Sequence, residues 1–352
     1  MTRPYDQGLA GRIAAFAHDQ PAVRIVFGAG TFERLADELD DRRWLIVHGG
    51  SQATAAERLG ERLGERCAGR FGEVRRHVPA DLADRARARF AELGADGLVA
   101  VGGGSVIGLA KAIALTAQAP IAAVPTTYSG SEMTAIYGLA AGGRKHTGRD
   151  EAVRPRHIVY DPVLSRDLPR AVAAPSAMNA LAHCVDALWA PGATPVTTLL
   201  AGEGARALRE GLEAMDRERL LYGAALAGWA LGVAGTALHH RICHILGGAF
   251  DLPHAETHSA VLPQVTALNA PAVPEAARLG FGRNPGPAIF DLARRAGAPT
   301  ALRELGLREE DLNAVVPSVV EEAAGNPVPV DEHTARALLQ RAWAGARPDG
   351  ES

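Results

Sequence analysis

Four short apolar runs punctuate the first 160 residues, and each stops at Gly, Pro or Thr: "VRIVFGAG" (23–30), "WLIVHGG" (44–50), "GLVAVGGG" (97–104) and "PIAAVPTT" (120–127). Unbroken apolar runs are what strands buried on both faces require. The segments between them, such as "TFERLADEL", carry helical patterns and are long enough for crossovers, so the runs read as parallel strands. A ligand of such a sheet belongs at the strands' carboxyl ends. After "YDP" at 160–162 the texture changes to Ala- and Leu-rich segments broken by "LPR", "APGATP", "DLPH" and "GNPVP". The expectation is an α/β domain over residues 1–162 and an all-helical domain over residues 163–352, a division that suits the chain's length.

Composition removes several function classes. A formal net charge of −3 gives no basic surplus for nucleic acid. No window approaches a membrane span, and "MTRPYDQGLAGRIAAFAHDQ" has no basic segment leading into an apolar core, so a cytoplasmic protein is expected. The three cysteines, Cys67, Cys184 and Cys243, form no disulfide framework and read as small buried hydrophobes.

"VAVGGGSVIGLAKAIAL" (99–115) reads as strand, glycine turn and helix, with the helix starting near Ser105. Gly102, Gly103 and Gly104 let backbone N–H groups converge on an anion, and the helix N-terminus adds partial positive charge. A diphosphate suits that place, although the run is neither G-x-G-x-x-G nor a Walker A motif. A plain tight turn is the competing reading. The next strand ends in "PTTYSGSE" (125–132), which brings Thr126, Thr127 and Ser129 beside the glycines if the two strands are neighbours.

The chain has 12 histidines, and "HHRICHILGGAFDLPH" (239–254) holds four of them. His240 and His244 are four apart, as are Asn179 and His183 in "SAMNALAHCVDALWA", a helix expected to begin near Ser176. His254 follows where a new helix can start. A lone helical histidine is usually a core residue; two such pairs and a loop histidine favour a site. Three imidazoles suit zinc or iron, but Asn179 offers only a neutral amide as fourth ligand. The electrostatics therefore favour a site without metal.

With these residues in hand, the chain resembles the iron-containing alcohol dehydrogenase superfamily, which shares the dehydroquinate synthase-like fold. The matches are Gly102–Ser105 for the pyrophosphate loop, and Asn179, His183, His240 and His254 at the family's four metal-ligand positions, the first of which is normally aspartate. Asn179, together with "PTTYSGSEMT", "GRKHTGRD", "YDPVLSRDLP" and "LPHAETHSAVLP", is similar to the maleylacetate reductase branch. The resemblance runs from about Val23 to Trp343. It implies a Rossmann-like N-terminal domain, an all-α C-terminal domain, a cofactor in the cleft between them, NADH or NADPH, no added metal, and a homodimer. One departure concerns the loop that reads Asn-Pro-Arg-Pro in that branch: "GNPVP" puts Val328 where the arginine would hold a substrate carboxylate.

The implied reaction is reduction of the conjugated C=C of maleylacetate to give 3-oxoadipate, as in aromatic-compound degradation. His244 and His254 are expected as oxyanion or proton partners, with His240 and His183 shaping the pocket. Asn179 would donate its amide to a substrate oxygen, and Tyr128 would contact substrate from the loop over the cleft, with simple packing as its alternative. Lys145 and Arg149 are candidates for cofactor ribose or phosphate, against solvated surface charge. Gly49, at the end of the second strand, replaces the aspartate of many NAD-preferring relatives, so NADPH is admissible with NADH; Ser51 or Gln52 would hydrogen-bond either. Three other readings stay open: a metal-dependent alcohol dehydrogenase that tolerates asparagine, a reductase of another unsaturated keto-acid, and a binding scaffold without redox turnover.

Overall fold

The computed structural model describes residues 16–141 and 144–349, with only the backbone for Ala141, Arg144 and Lys145. The N-terminal half is built on β1 (Arg24–Phe27), β2 (Trp44–His48), β3 (Cys67–Phe71), β4 (Gly97–Gly102), β5 (Ile121–Pro125), β6 (Ile136–Ala141), β7 (Arg144–Arg149) and β8 (His157–Tyr160). Six of these form one sheet in the order β1-β8-β5-β4-β2-β3, with every neighbouring pair parallel. β6 and β7 pair separately as an antiparallel hairpin. The helices of this half are α1 (Leu35–Glu38), α2 (Ala53–Leu63), α3 (Ala80–Glu92) and α4 (Gly104–Ala117).

All residues of β4 and β5 are buried, as their unbroken apolar sequences require. Trp44 and Gly97 face each other across β2 and β4, and a Cβ at Gly97 would lie 2.6 Å from the indole ring. One face of the sheet packs Leu35, Leu59 and Leu63 of α1 and α2 on Ile46, Val99 and Val124. The other packs Leu82, Phe90 and Ile113 of α3 and α4 on Leu45, Leu98 and Ile121. The winding reverses between β2 and β4, so the crevice at their carboxyl ends is the topological switch point.

Every described element after Tyr160 is helical: α5 (Pro162–Ser165), α6 (Arg170–Asp186), α7 (Pro195–Ala214), α8 (Arg217–Ala234), α9 (Leu238–Phe250), α10 (His254–Asn269), α11 (Pro285–Ala296), α12 (Leu312–Glu322) and α13 (Glu332–Ala344), with short 3-10 turns between some of them. The apolar core nevertheless runs across residue 162, because Tyr128, Met133, Ile158 and Tyr160 share a cluster with α6, α7 and α8. No single helix among the described residues is long and apolar enough to cross a membrane.

Two expectations about elements need correction. α6 begins at Arg170, not near Ser176; Pro169 precedes it and Pro175 lies inside it. The Pro-Ser pair imitates a helix start, but the first turn and a half lies upstream. The sheet also contains β3 and β8, which the four apolar runs do not include. β3 is a half-exposed edge strand and β8 is four residues long, so neither has a long apolar signature.

Candidate active site

The glycine turn sits at the switch point. Gly102 ends β4 with φ +155°, and a Cβ there would lie 2.5 Å from Cγ2 of Val106. Gly103 caps α4 without any side-chain hydrogen bond to the helix's first N–H groups. A Cβ on Gly103 would lie 2.8 Å from Oγ1 of Thr127, and one on Gly104 would lie 3.1 Å from Cβ of Ser129. Parallel pairing of β4 with β5 brings these loops together, and the Thr126 N–H donates to the Gly102 carbonyl at 3.1 Å. Gly103, Gly104, Ser105, Thr127 and Ser129 are half-buried, forming a polar rim with helix N–H donors behind it. Thr126 is buried beneath that rim, contrary to a direct cofactor contact by its side chain.

Gly49 is half-buried at the end of β2, and its added Cβ would meet Val106 at 3.6 Å, so it borders the same crevice. Ser51 is exposed and Gln52 half-buried on the 3-10 turn that follows. Arg149 pairs with Glu151 at 3.4 Å on the surface, which matches the solvated-charge alternative. The backbone of Lys145 pairs with Ala140 in the hairpin, and its side chain lies outside the described residues.

The histidines gather where α6, α9 and α10 meet. Asn179 and His183 lie one turn apart on α6; His240 and His244 do so on α9; His254 is the first residue of α10. His183 stacks on His240 with ring centroids 5.1 Å apart, and His244 stacks on His254 at 6.0 Å. His244 and His254 are exposed, whereas Asn179, His183 and His240 are buried. The cluster thus has an open end and a closed end.

Three further residues complete the closed end. His258 lies one turn after His254 on α10, with its ring 4.3 Å from His254 and 4.7 Å from His240. Its Nδ1 shares a 2.9 Å hydrogen bond with Nε2 of His239. Asp186, fully buried, accepts from Nδ1–H of His240 at 2.7 Å, from the Ala237 N–H at 2.9 Å and from the His240 N–H at 3.3 Å, all through Oδ2. The signal for His258 was present in the sequence, since it repeats the i, i+4 spacing from His254; Asp186 likewise follows His183 by three positions.

Burial sets the charges here. Desolvation drives His183 and His258 well below the usual imidazole range and His239 to about 3, with the neighbouring imidazoles adding to the fall; for His239, Asp186 opposes it. These three rings are neutral near pH 7. Burial alone would raise the Asp186 pKa, but the His240 hydrogen bond, the His240 and His239 rings and the Ala237 N–H together hold it below the usual carboxylate range. Asp186 is therefore a buried carboxylate anion joined to His240.

Tyr128 requires a correction. Its ring is fully buried in the core of the helical half and its N–H donates to Oγ of Ser176 at 2.9 Å, so it packs and does not line a cleft. The loop's contact with the histidines comes two residues later. Gly130 has φ +68°, and a Cβ there would lie 2.9 Å from Nδ1 of His183. One loop, 125–131, therefore touches the glycine turn through Thr127 and Ser129 and the histidine cluster through Gly130.

The family's iron can be tested against these residues. Among the described residues, the His, Cys and carboxylate groups whose ligand atoms converge within 4.8 Å are His239, His240 and His258, which is not the set His183, His240 and His254. Two of the converging atoms already bond each other, and Asn179 brings no negative charge. Of the four family positions, Asn179 Oδ1, His183 Nδ1 and His240 Nε2 are buried without a hydrogen-bond partner among the described residues, so donor atoms remain for an ion, but the set lacks the family's carboxylate charge. The glycine rim, by contrast, fits a nucleotide diphosphate: it is a turn that side chains would fill, backed by uncapped helix N–H groups.

The sequence matches the family described as "Iron-containing alcohol dehydrogenase" over residues 21–162 and "Fe-containing alcohol dehydrogenase family, C-terminal" over residues 173–343. It is 43% identical to the maleylacetate reductase of Pseudomonas knackmussii over 350 residues, covering 95% of this chain and 99% of the relative. The crystal structure of maleylacetate reductase from Rhizobium sp. strain MTP-10005 superposes with a TM-score of 0.88 at 41% identity, covering 95% of this chain and 99% of that one. An iron-containing alcohol dehydrogenase from Corynebacterium glutamicum superposes at 0.89 with 39% identity, covering 95% and 98%. The glycine turn, the paired loop and the helical histidine cluster are thus those of an oxidoreductase, and the chain belongs to the iron-containing alcohol dehydrogenase family.

Proposed function

We propose that this protein is an NAD(P)H-dependent maleylacetate reductase that needs no metal. The observation that carries the reading is the shared loop: residues 125–131 join the glycine rim to a cluster of imidazoles, as a reductase placing a cofactor against an enone requires. Relatives named maleylacetate reductase at 41–43% identity over nearly their full length support it.

Gly103, Gly104 and Ser105, with Thr127 and Ser129, would hold the dinucleotide diphosphate, and Gly49 leaves room for a ribose with or without a 2′-phosphate. A nicotinamide bound there supplies the hydride that the reduction consumes. The substrate's β-carbon gains that hydride, its C=C electrons move onto the ketone oxygen, and the resulting enolate takes one proton to give 3-oxoadipate. The exposed His244 and His254 stabilise the oxyanion and deliver the proton. Neutral buried His183, with the Asn179 amide, orders the closed end.

Val328 supports a second reading within the same chemistry. Asn326 donates to the Val328 carbonyl at 2.8 Å and pairs with Asn269 at 2.7 and 2.9 Å, so the loop is held, with valine where the resemblance leads one to expect arginine. An unsaturated keto-acid with one carboxylate fewer is then the better substrate. The test is product analysis: NADH or NADPH with maleylacetate should yield 3-oxoadipate. A hydroxy-acid with the C=C intact would mean carbonyl reduction, the alcohol dehydrogenase chemistry.

A further inference from the structure

We infer that Asp186 is a positioning residue of the reduction site, acting through His240. The inference rests on the reductase reading above and adds the device that orients its central imidazole. Asp186 is 0% exposed, and its Oδ2 receives three donors: the ring Nδ1–H, the main-chain N–H of the same histidine, and the N–H of Ala237 just before α9. One carboxylate oxygen at the end of α6 thus fixes both the start of α9 and the ring that α9 carries into the cluster.

The chemistry of that bond is specific. A carboxylate only accepts, so the proton between Asp186 and His240 resides on Nδ1 of the histidine. Nδ1 of His240 therefore carries a proton, and in the neutral ring Nε2 is the nitrogen that presents a lone pair. That Nε2 is buried and has no partner within the protein. Its ring is stacked on His183 and lies 4.7 Å from His258, which in turn contacts exposed His254. Asp186 thus fixes the direction in which His240 presents Nε2 into the cluster. With the opposite tautomer, Nε2 would be a donor and the nitrogen facing Asp186 a bare lone pair against a carboxylate. Carboxylate–imidazole pairs of this kind set tautomer and ring orientation in other enzymes.

Two arms test the assignment. In the unsubstituted protein, nitrogen-15 NMR of labelled histidine, with His240 assigned by its absence in His240→Gln, should show His240 as Nδ1–H near pH 7. An Nε2–H tautomer would overturn the proposal, whatever substrate the enzyme uses and whether or not any variant folds. In the kinetic arm, Asp186→Asn should lower kcat roughly 10- to 100-fold with KM changed less than about threefold and nucleotide affinity retained. Asp186→Glu should recover part of the loss. The double variant Asp186→Asn, His240→Gln should be no slower than His240→Gln alone, because Asp186 acts only through that ring. Additive losses, or unchanged kcat in Asp186→Asn, would reduce Asp186 to a structural anchor and overturn the inference. If the wild-type enzyme fails to reduce maleylacetate while His240 is Nδ1–H, the substrate reading has failed and the orientation of His240 stands.

Discussion

His244 and His254 differ from the other imidazoles of the cluster in being exposed, so they are the two that a substrate can reach without displacing the core. Replacing either with Ala should reduce kcat by about 10²- to 10⁴-fold, the range for losing a general acid–base group, with little change in melting temperature. Kinetics paired with a thermal melt measure both. The i, i+4 spacing placed Asn179 with His183 and His240 with His244, each pair on one helix face, because helical period fixes which side chains share a face; the placing of His254 with them and the joining of the helices into one site came from the family resemblance. Asp186, His239 and His258 were given no role although His258 and Asp186 stand at helical spacing from His254 and His183, because spacing alone does not tell a polar residue that faces a site from one that faces a packed core. Tyr128 failed the other way, since a polar loop sequence does not reveal that one of its rings turns inward.

At the scale of elements, the fit between the β4–α4 turn and the β5 loop is the tightest constraint. Gly103→Ala places a methyl 2.8 Å from Oγ1 and 2.9 Å from Cγ2 of Thr127, so the loops must part. Nucleotide affinity should fall by about 10-fold or more, the effect of roughly 1–3 kcal/mol of overpacking, and Thr127→Ala in the same chain should restore part of it. Titration of NADH fluorescence reads both. The loop's far side is equally confined. Lys111 of α4 donates to the carbonyls of Ser131, Thr134 and Ile136, while a Cβ at Gly232 of α8 would lie 2.5 Å from the Met133 carbonyl oxygen. Gly232→Ala should therefore destabilise the protein by about 1–3 kcal/mol, read as a lower urea midpoint. The strand-turn-helix at 97–117 was legible because buried apolar runs and glycine punctuation are local signals. β3 and β8 were not, because they are half-exposed or short and pair with strands distant in sequence; the local β6–β7 hairpin was not, because its second strand, RKHTGR, has no apolar alternation.

For the whole molecule, the buried histidines link stability to pH. His183, His239 and His258 titrate lower in the folded chain than unfolded, so below about pH 6.5 the unfolded state binds more protons. Their contribution is complete above that pH and is lost as pH falls toward the depressed folded values. The unfolding free energy, and with it the urea midpoint, should drop between pH 7 and pH 5, the free energy by up to about 1.4 kcal/mol per pH unit for each ring that remains neutral. A midpoint flat over that interval would mean that the rings are not buried and neutral. The two-part architecture was foreseen from the loss of strand-like runs after residue 162, yet the core that crosses it through Tyr128, Met133, Ile158 and Tyr160 was not, because contacts between halves leave no periodic mark. The central claim is that these halves form one metal-independent reductase site. Its most direct test is the loss of NADH and NADPH absorbance with maleylacetate, using enzyme purified and assayed in EDTA. Sustained turnover under chelation is the predicted result; turnover that appears only when iron or zinc is restored would contradict it.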